Sequence, residues 1–253
     1  MKLDLFPPQP EFDWALFLDF DGTLVEFADR PEAVAGDAEL ANLLRATERA
    51  LDGSLAIVTG RPIQQIDRLL GRAIKVVAGQ HGHELRTPDG FVHHRDIPHD
   101  ALAAIRAKLN EFTEAHDGVL LEDKGRALAL HYRQSPVHEE ACDRLVRSLA
   151  DESGGELVML RGKMVREIKA DGHDKGDAVA FLMAQTPFAG RRPVYAGDDI
   201  TDEDAFAVVN GMGGLSIKVG DGDTLAAHRI ATVADLRRWL AAFGSLKTPE
   251  GGR

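Results

Sequence analysis

Short apolar runs alternate with helical patterns at the beginning of this chain and again near its end. The first apolar runs lie at residues 14–19, 54–60 and 74–79, and helical patterns lie at 40–51 and 61–71. A strand that is apolar along its whole length is buried on both faces, as in a parallel sheet that helices cover on both sides. The pattern therefore predicts an α/β domain with a parallel sheet.

The alternation stops in the middle of the chain. The order there is helix, hairpin, helix, hairpin, at residues 99–116, 118–133, 135–152 and 155–169. Such an order predicts a small antiparallel sheet with two helices on one side.

From Lys175 onward the first pattern returns, with strands predicted at 193–197 and 215–220 and a last helix at 231–243. One α/β domain is thus interrupted by an inserted domain. The predicted boundaries are 1–96 and 170–253 for the α/β core and 97–169 for the insertion.

Composition excludes several classes of partner. The 253 residues carry a net charge of −11, which argues against a nucleic-acid-binding surface. No apolar stretch approaches the ~20 residues that a transmembrane helix needs, and the first residues lack the apolar run of a signal peptide. Cys142 is the single cysteine, which fits a reducing compartment. We expect a cytoplasmic monomer without membrane or nucleic-acid partners.

Polar side chains stand where the predicted strands end. Asp19 ends the first strand and Thr59 the second, while Asp198 and Asp199 follow the strand at 193–197. Ligands of open α/β sheets bind beyond the carboxyl ends of the strands. These side chains are therefore predicted to line one site.

Asp19 and Asp21 are separated by one residue at the end of an apolar run. Residues two apart in an extended stretch point the same way, so both carboxylates can face one small volume. Together with Asp198 they would repel one another unless a cation joined them. Hard oxygen ligands suit Mg²⁺, so the predicted metal ligands are Asp19, Asp21 and Asp198, with Mg²⁺ as cofactor.

A lysine and a hydroxyl beside this set indicate a bound phosphoryl group. Asp19 would then attack phosphorus and form an aspartyl-phosphate. Asp21 would give a proton to the leaving oxygen and afterwards activate water. Lys175 and Thr59 would hold the phosphoryl oxygens as charge shifts in the transition state.

Four short motifs resemble the signatures of the haloacid dehalogenase superfamily of phosphohydrolases. They are DFDGTL (19–24), VTGR (58–61), DKG (174–176) and GDDITDEDAF (197–206), in the order of the family. Four ordered matches are far more specific than any one of them. The resemblance implies a Rossmann-like core with an α/β cap inserted between the second and third motifs.

Three further stretches, at 79–86, 121–133 and 165–176, are similar to the trehalose-6-phosphate phosphatase family within that superfamily. This resemblance implies Mg²⁺-dependent hydrolysis of a small phosphosugar, trehalose 6-phosphate. It also implies that three cap residues contact the sugar away from the phosphate. They are Glu122, Lys124 and Glu167.

Two sets of residues alternate along the predicted cap strand. The set predicted to be buried is Leu128, Leu130 and Tyr132. The set predicted to form an open face, suited to a polyhydroxylated sugar, is Ala127, Ala129, His131 and Arg133.

The candidate substrate-binding residues share a place in one of these motifs or on the open face. They are Gly60, Arg61, His81, Gly82, Glu84, Glu122, Lys124, His131, Arg133, Glu167, Asp199 and Asp202. Asp199 is further expected to orient Lys175 or to lie beside the metal. Plainer explanations remain open: a solvated sheet face for the cap residues, a tight turn around His81, and a helix cap for Asp202.

Other functions remain open on the same residues. A sucrose-phosphate phosphatase or another phosphosugar phosphatase would share the core and differ only in the cap. A phosphoacceptor signalling module also combines acidic residues, a threonine and a lysine on a parallel sheet. Such modules lack both the inserted domain and a second aspartate placed like Asp21. A binding protein without catalysis is disfavoured, because each expected catalytic position holds the expected residue type.

Overall fold

The structure of the protein is a computed structural model that describes residues 6–26, 37–94 and 98–246. The described residues form two compact units. The first contains the residues up to His94 and from Asp174 onward, and the second contains the residues between them. The predicted domain boundary at 96/97 lies outside the described residues.

The elements follow the order predicted along the chain. The strands are β1 (Trp14–Leu18), β2 (Leu55–Val58), β3 (Val76–Gly79), β4 (Glu84–Arg86), β5 (Val92–His94), β6 (Leu120–Asp123), β7 (Ala127–His131), β8 (Leu157–Gly162), β9 (Val165–Ala170), β10 (Arg192–Gly197), β11 (Leu215–Val219) and β12 (His228–Ile230). The α-helices are α1 (Ala38–Ala50), α2 (Ile63–Leu70), α3 (His99–Glu114), α4 (Glu139–Glu152), α5 (Lys175–Met183), α6 (Glu203–Gly211) and α7 (Val233–Ala241).

An eight-stranded sheet forms the centre of the first unit. Its strand order is β12-β11-β10-β1-β2-β3-β4-β5. The first six strands in this order pair in parallel, and β4 and β5 add an antiparallel edge. The chain leaves β1 toward β2 on one side and returns to β10 on its other side. The carboxyl end of β1 is therefore the topological switch point of the sheet, where α/β proteins bind ligands.

Both faces of this sheet are buried under helices, as its apolar strands predict. Along β1, Trp14, Leu16 and Leu18 join a cluster with residues of α1, α2 and α7. Ala15 and Phe17 point to the opposite cluster, which contains residues of α5 and α6. Successive side chains of a strand alternate between faces, so one fully apolar strand supplies both cores.

The second unit is a four-stranded antiparallel sheet in the order β6-β7-β9-β8, packed against α3 and α4. Leu102, Ile105 and Leu109 of α3 are buried in this core, and Phe112 of the same helix is partly buried against it. Burying a side chain of this size contributes about 1.5–3 kcal/mol. Cys142 of α4 is buried in the same core, and burial raises the pKa of its thiol to about 11.

The structure corrects the predicted exposure of the second sheet. Leu128, Leu130 and Tyr132 are buried as predicted, but Ala127 and Ala129 are buried as well. Ala129 lies in register between Glu122 on β6 and Glu167 on β9, and these long side chains flank its methyl group. Small residues on a polar face are thus covered by the charged neighbours that give the face its polarity.

Three short strands are absent from the sequence prediction. They are β4, β5 and β12, each three residues long. Segments of that length carry too few residues for a period-2 pattern to be recognised. None of the described helices combines the length and the apolar character needed to span a bilayer.

Candidate active site

Side chains from neighbouring strands meet at the switch point of the large sheet. Asp19 directly follows β1, Thr59 follows β2 and Asp198 follows β10. Because β1 pairs with both β2 and β10 in parallel, these three positions lie at one edge. The predicted juxtaposition of the strand ends is therefore present in the structure.

Lys175 reaches this edge from the first residue of α5. Its Nζ lies 3.0 Å from Oδ1 of Asp19 and 2.7 Å from Oδ1 of Asp202, and all three side chains are buried. The contact with Lys175 is thus made by Asp202, whereas the sequence offered it to Asp199 as one of two alternatives. Asp199 instead accepts a hydrogen bond from the backbone N–H of Ile200 at the start of a 3₁₀ turn.

Asp202 is the structural centre of the loop that follows β10. Its Oδ2 accepts hydrogen bonds from the backbone N–H groups of Asp198 and Asp199, both at 2.9 Å. Its Oδ1 accepts from Lys175 and from the hydroxyl of Tyr195 at 2.7 Å. The side chain is 0% exposed. Both oxygens are thus occupied by protein donors, which accounts for the burial of Asp202 without a substrate contact.

The backbone at Gly197 explains how Asp202 can fold back so closely. A Cβ at this position would lie 2.3 Å from Cγ of Asp202. No side chain fits there without displacing the carboxylate. The glycine of the fourth motif therefore serves the geometry of the loop.

The carboxylates at this edge raise one another's pKa. Burial raises the pKa of Asp198 to about 7, with the charge of Asp202 as the next cause. Burial and then Asp202 also raise the pKa of Asp19 well above its ordinary value, although Lys175 acts in the opposite direction. For Lys175, burial alone would lower the pKa, but Asp19 and Asp202 outweigh it and hold the pKa above its usual range.

These groups fit a small divalent cation. One oxygen each from Asp19, Asp198 and Asp202 lies within 4.8 Å of the others. Asp202 is saturated by N–H and O–H donors, so Asp19 and Asp198 are the carboxylates with capacity left for a metal. Both are hard oxygen donors that repel each other, which is the condition that Mg²⁺ relieves.

The carboxylate of Asp21 has a different partner. Its Oδ2 accepts from Nε of Arg61 at 2.6 Å, and its Oδ1 accepts from Nη2 at 2.7 Å. Within the described residues, the acidic cluster that suits a metal does not include Asp21. The structure thus places Asp21 against a guanidinium, and its predicted role as a metal ligand stays a prediction.

The glycine–histidine stretch packs against the loop after β2. A Cβ at Gly60 would lie 2.7 Å from Nε2 of His81, so the glycine leaves room for the imidazole. A Cβ at Gly82 would lie 2.9 Å from the backbone oxygen of Asp174, and Gly82 has a φ of +95°. His81 itself is buried. These contacts hold the loops of the second and third motifs together.

Glu84, the first residue of β4, caps helix α2 with its side chain. Its Oε2 accepts a hydrogen bond from the backbone N–H of Ile63 at 2.9 Å. Helix α2 begins after Pro62, which has no side-chain acceptor to offer. Glu84 therefore satisfies one of the free N–H groups at the helix start, from a neighbouring strand.

In the second unit, the predicted sugar-binding residues form one ion pair and one hydrogen-bonded pair. Nζ of Lys124 lies 2.6 Å from Oε2 of Glu167, and Nε2 of His131 lies 2.9 Å from Oε2 of Glu122. Hydrogen bonding to His131 and the charge of Lys124 lower the pKa of Glu122 below its usual value, although burial opposes them as the largest single influence. The lowered pKa favours the carboxylate form of Glu122, which can accept hydrogen bonds from hydroxyl groups.

Arg133 lies at the end of this row. Its guanidinium donates to the backbone oxygen of Lys163 at 3.3 Å, next to the turn between β8 and β9. Substrate contact by Arg133 stays a prediction.

Sequence reasoning missed two residues that support Asp198. The Nζ of Lys218 donates to the backbone oxygen of Asp198 at 2.5 Å, and Oγ1 of Thr23 donates to its Oδ1 at 3.1 Å. Lys218 is buried on β11, in register with Gly197 of β10. The sequence signal that could have identified Lys218 is its position as a lysine near the end of an otherwise apolar strand.

The family model and two of the relatives that match this chain describe trehalose-phosphatases. The family model described as trehalose-phosphatase matches residues 17–236. A trehalose-6-phosphate phosphatase from Escherichia coli is 41% identical over 92% of this chain and 87% of the relative. A probable trehalose-phosphate phosphatase from Sinorhizobium fredii is 44% identical over 82% of this chain and 78% of the relative.

A solved structure agrees with the fold. The C-terminal domain of a C. albicans trehalose-6-phosphate phosphatase aligns with a TM-score of 0.81 at 19% identity, over 93% of each chain. At this identity the likeness concerns the fold alone. It agrees with the predicted architecture, an α/β core with a mainly parallel sheet together with a separate antiparallel sheet carrying two helices.

Proposed function

We propose, on the premise that this chain belongs to the trehalose-phosphatase family and is a phosphoric monoester hydrolase, that it hydrolyses trehalose 6-phosphate to trehalose and inorganic phosphate. The observation that carries this proposal is the buried contact between Asp19 and Lys175 at the switch point of the sheet. A nucleophilic carboxylate beside a fixed positive charge is what attack on a phosphate monoester requires.

In the first half of the reaction, an oxygen of Asp19 attacks phosphorus and the bond to the sugar oxygen breaks. Asp21 gives its proton to that leaving oxygen. Lys175 and the Thr59 hydroxyl hold the phosphoryl oxygens in the transition state. In the second half, Asp21 takes a proton from water as the water attacks the aspartyl-phosphate, which releases phosphate and restores Asp19.

Mg²⁺ is the proposed cofactor, and Asp19 and Asp198 are the side chains that would hold it. When bound, it supplies positive charge that neutralises the phosphoryl oxygens. Lys218 and Thr23 keep Asp198 in place for this purpose. Asp202 keeps Lys175 in place and contributes no contact to the substrate.

The second unit is proposed to act as the cap of the family. Its polar row, formed by Glu122, Lys124, His131 and Glu167, would bind the sugar. Glu122 and Glu167 offer carboxylate oxygens to sugar hydroxyls, and Lys124 offers N–H groups to ring and glycosidic oxygens. Their mutual pairing orients them before substrate binds, which lowers the entropy cost of recognition.

The proposal is tested by phosphate release from a panel of substrates. The panel contains trehalose 6-phosphate, sucrose 6-phosphate, glucose 6-phosphate and p-nitrophenyl phosphate, each with Mg²⁺ and with a chelator. We expect kcat/KM to be highest for trehalose 6-phosphate, and chelation to remove nearly all activity. Mg²⁺-dependent activity that favours another sugar phosphate would keep the mechanism and overturn the substrate. Inactivity toward the whole panel would overturn both.

Truncation of the polar row is expected to affect sugar substrates selectively. Replacing Glu167 by glutamine or Lys124 by methionine should reduce kcat/KM for trehalose 6-phosphate by roughly 10²-fold, since two or more hydrogen bonds to a charged group are lost. The rate with p-nitrophenyl phosphate should fall by less than about threefold, because an aryl group makes no such contacts. Arg144→Gln, at an exposed position of α4, is the matched control.

Equal losses on the sugar and aryl substrates would show that Lys124 and Glu167 stabilise the second unit and do not read the sugar. The monomeric state and the cytoplasmic location stay predictions. Light scattering on the purified chain tests the first of them.

A further inference from the structure

We propose that Arg61 is a positioning residue that fixes the carboxylate of Asp21 for proton transfer, rather than a residue that binds substrate. This inference rests on the proposed function, because it assigns Asp21 as the acid and base of the reaction. It gives Arg61 a role different from the substrate contact predicted from the sequence.

Arg61 and Asp21 form a rigid contact at two points, in which the guanidinium acts as a fork. Two parallel N–H···O bonds of 2.6 and 2.7 Å join Arg61 to the two oxygens of Asp21. The Arg61 side chain is 9% exposed, while that of Asp21 is 28% exposed. A two-point contact fixes the rotation of a carboxylate about its own axis, which a single hydrogen bond or a point charge does not. The exposed part of Asp21 remains accessible to a reacting group.

Arg61 is in turn held by its own surroundings. Its guanidinium carbon lies 5.8 Å from the centre of the Phe20 ring, and its Nη1 donates to Oε1 of Gln65 at 3.1 Å. Its backbone N–H donates to Oγ1 of Thr59 at 3.1 Å. The planar group is thus confined by an aromatic face and a side-chain acceptor, both in the first unit. Asp21 therefore faces a fixed partner and not a mobile surface arginine.

Such fixation matters only for the step in which Asp21 moves a proton. A sugar or alkyl oxygen leaves poorly without a proton, whereas p-nitrophenolate leaves readily as an anion. General acid catalysis contributes roughly 10²–10⁴-fold where the proton is needed. Misorientation of Asp21 should therefore reduce the rate for poor leaving groups and spare good ones. An arginine that bound the phosphoryl group would affect all substrates alike, because that group is common to them.

The experiment measures kcat/KM for p-nitrophenyl phosphate, phenyl phosphate and a simple alkyl phosphate, which avoids contacts with a sugar. The enzymes are wild type, Arg61→Gln, Asp21→Asn and the double variant. We expect Arg61→Gln to lose about 100-fold with the alkyl phosphate and less than about tenfold with p-nitrophenyl phosphate. The double variant should be no slower than Asp21→Asn, since Arg61 acts through Asp21.

Arg61→Lys separates fork geometry from charge. It keeps the positive charge and loses the planar two-point contact, so it should recover less than a tenth of the lost rate with the alkyl phosphate. Recovery of the wild-type rates by lysine would overturn the positioning role in favour of simple charge. Additive losses in the double variant, or equal losses with all leaving groups, would overturn it as well.

Arg86→Gln is the control for loss of a buried arginine pair. Arg86 is buried in the same unit and binds both oxygens of Asp67, at 2.9 and 2.8 Å. Its removal should lower the melting temperature and leave the dependence on leaving group unchanged.

If Arg61→Gln does not fold, Gln65→Leu tests the same point, with a loss of a few-fold confined to poor leaving groups. A change in kcat/KM for Gln65→Leu that does not depend on the leaving group would then count against the proposal.

Failure of this inference is distinguishable from failure of the proposed function. If wild type cleaves neither trehalose 6-phosphate nor any of these smaller phosphates, the proposed function is overturned. If wild type is active and Asp21→Asn depends on the leaving group while Arg61→Gln does not, only the positioning role is overturned.

Discussion

Replacement of Asp19 by asparagine is expected to lower kcat/KM for trehalose 6-phosphate by at least roughly 10⁴-fold. The amide has nearly the shape of the carboxylate but cannot form the acyl phosphate. The neighbouring carboxylates have other tasks: Asp202 is saturated by four donors, Asp21 lies in the fork of Arg61, and Asp198 is the proposed partner of Asp19 in holding the metal. The expected loss is therefore close to the full contribution of covalent catalysis.

The same substitution should leave the fold intact and slightly raise its stability in the absence of Mg²⁺. Burial and the charge of Asp202 raise the pKa of Asp19, so its ionised form costs folding free energy at pH 7. Asparagine removes that cost, and Lys175 retains Asp202 as its partner. Unfolding in urea, with and without Mg²⁺, measures the change.

Two outcomes would contradict this assignment. An active Asp19→Asn enzyme would exclude Asp19 as the nucleophile. A variant that unfolds would leave the lost activity without a chemical meaning. Asp151→Asn, at an exposed position of α4, controls for the same chemical change elsewhere, and its activity should match that of wild type.

The parts of this fold that the sequence predicted are those specified by local pattern. Strand β1 is apolar along its whole length, and that alone places it in the middle of a sheet with helices on both sides. The rule that parallel strands present ligands at their carboxyl ends then brings Asp19, Thr59 and Asp198 to one edge. Neither step requires knowledge of which side chain contacts which.

The direction of Asp21 could not be obtained in that way. The alternation rule that placed Asp19 and Asp21 on one side holds only within a strand, and β1 ends at Leu18. Gly22 then adopts a φ of +80° and turns the chain. The rule was thus applied outside the strand in which it is valid. The carboxylate of Asp21 contacts Arg61 instead.

Contacts between residues that are distant in the sequence likewise could not be predicted. Asp199 and Asp202 are both acidic residues near the end of β10, and composition cannot tell which of them contacts Lys175. The loop decides, because Asp202 folds back over Gly197 and accepts the N–H groups of Asp198 and Asp199. The helix cap by Glu84 depends in the same way on a contact across the sheet.

Replacement of Asp202 by asparagine is the second change with a large expected effect. We expect kcat/KM to fall by roughly 10²–10³-fold and the free energy of unfolding to fall by about 3 kcal/mol. The amide nitrogen must replace either the oxygen that accepts from Lys175 and Tyr195 or the one that accepts from two backbone N–H groups. In either orientation two buried donors lose their acceptor.

One effect acts in the opposite direction. Asp202 raises the pKa values of Asp19 and Asp198, so its neutralisation relieves their repulsion. Two unsatisfied buried donors cost about 1–3 kcal/mol each, which we expect to exceed this relief. A net gain in stability would show that repulsion dominates at this edge of the sheet.

Asp199→Asn is the matched comparison, since it changes a neighbouring acid of the same motif. Asp199 accepts only a local hydrogen bond from Ile200 in addition to its place in the capping box with Asp202. We expect a loss of stability near 1 kcal/mol, as for a helix cap, and a loss of activity below about tenfold. If Asp199→Asn instead lost as much activity as Asp202→Asn, the position of Lys175 would depend on the whole loop and not on the single carboxylate that contacts it.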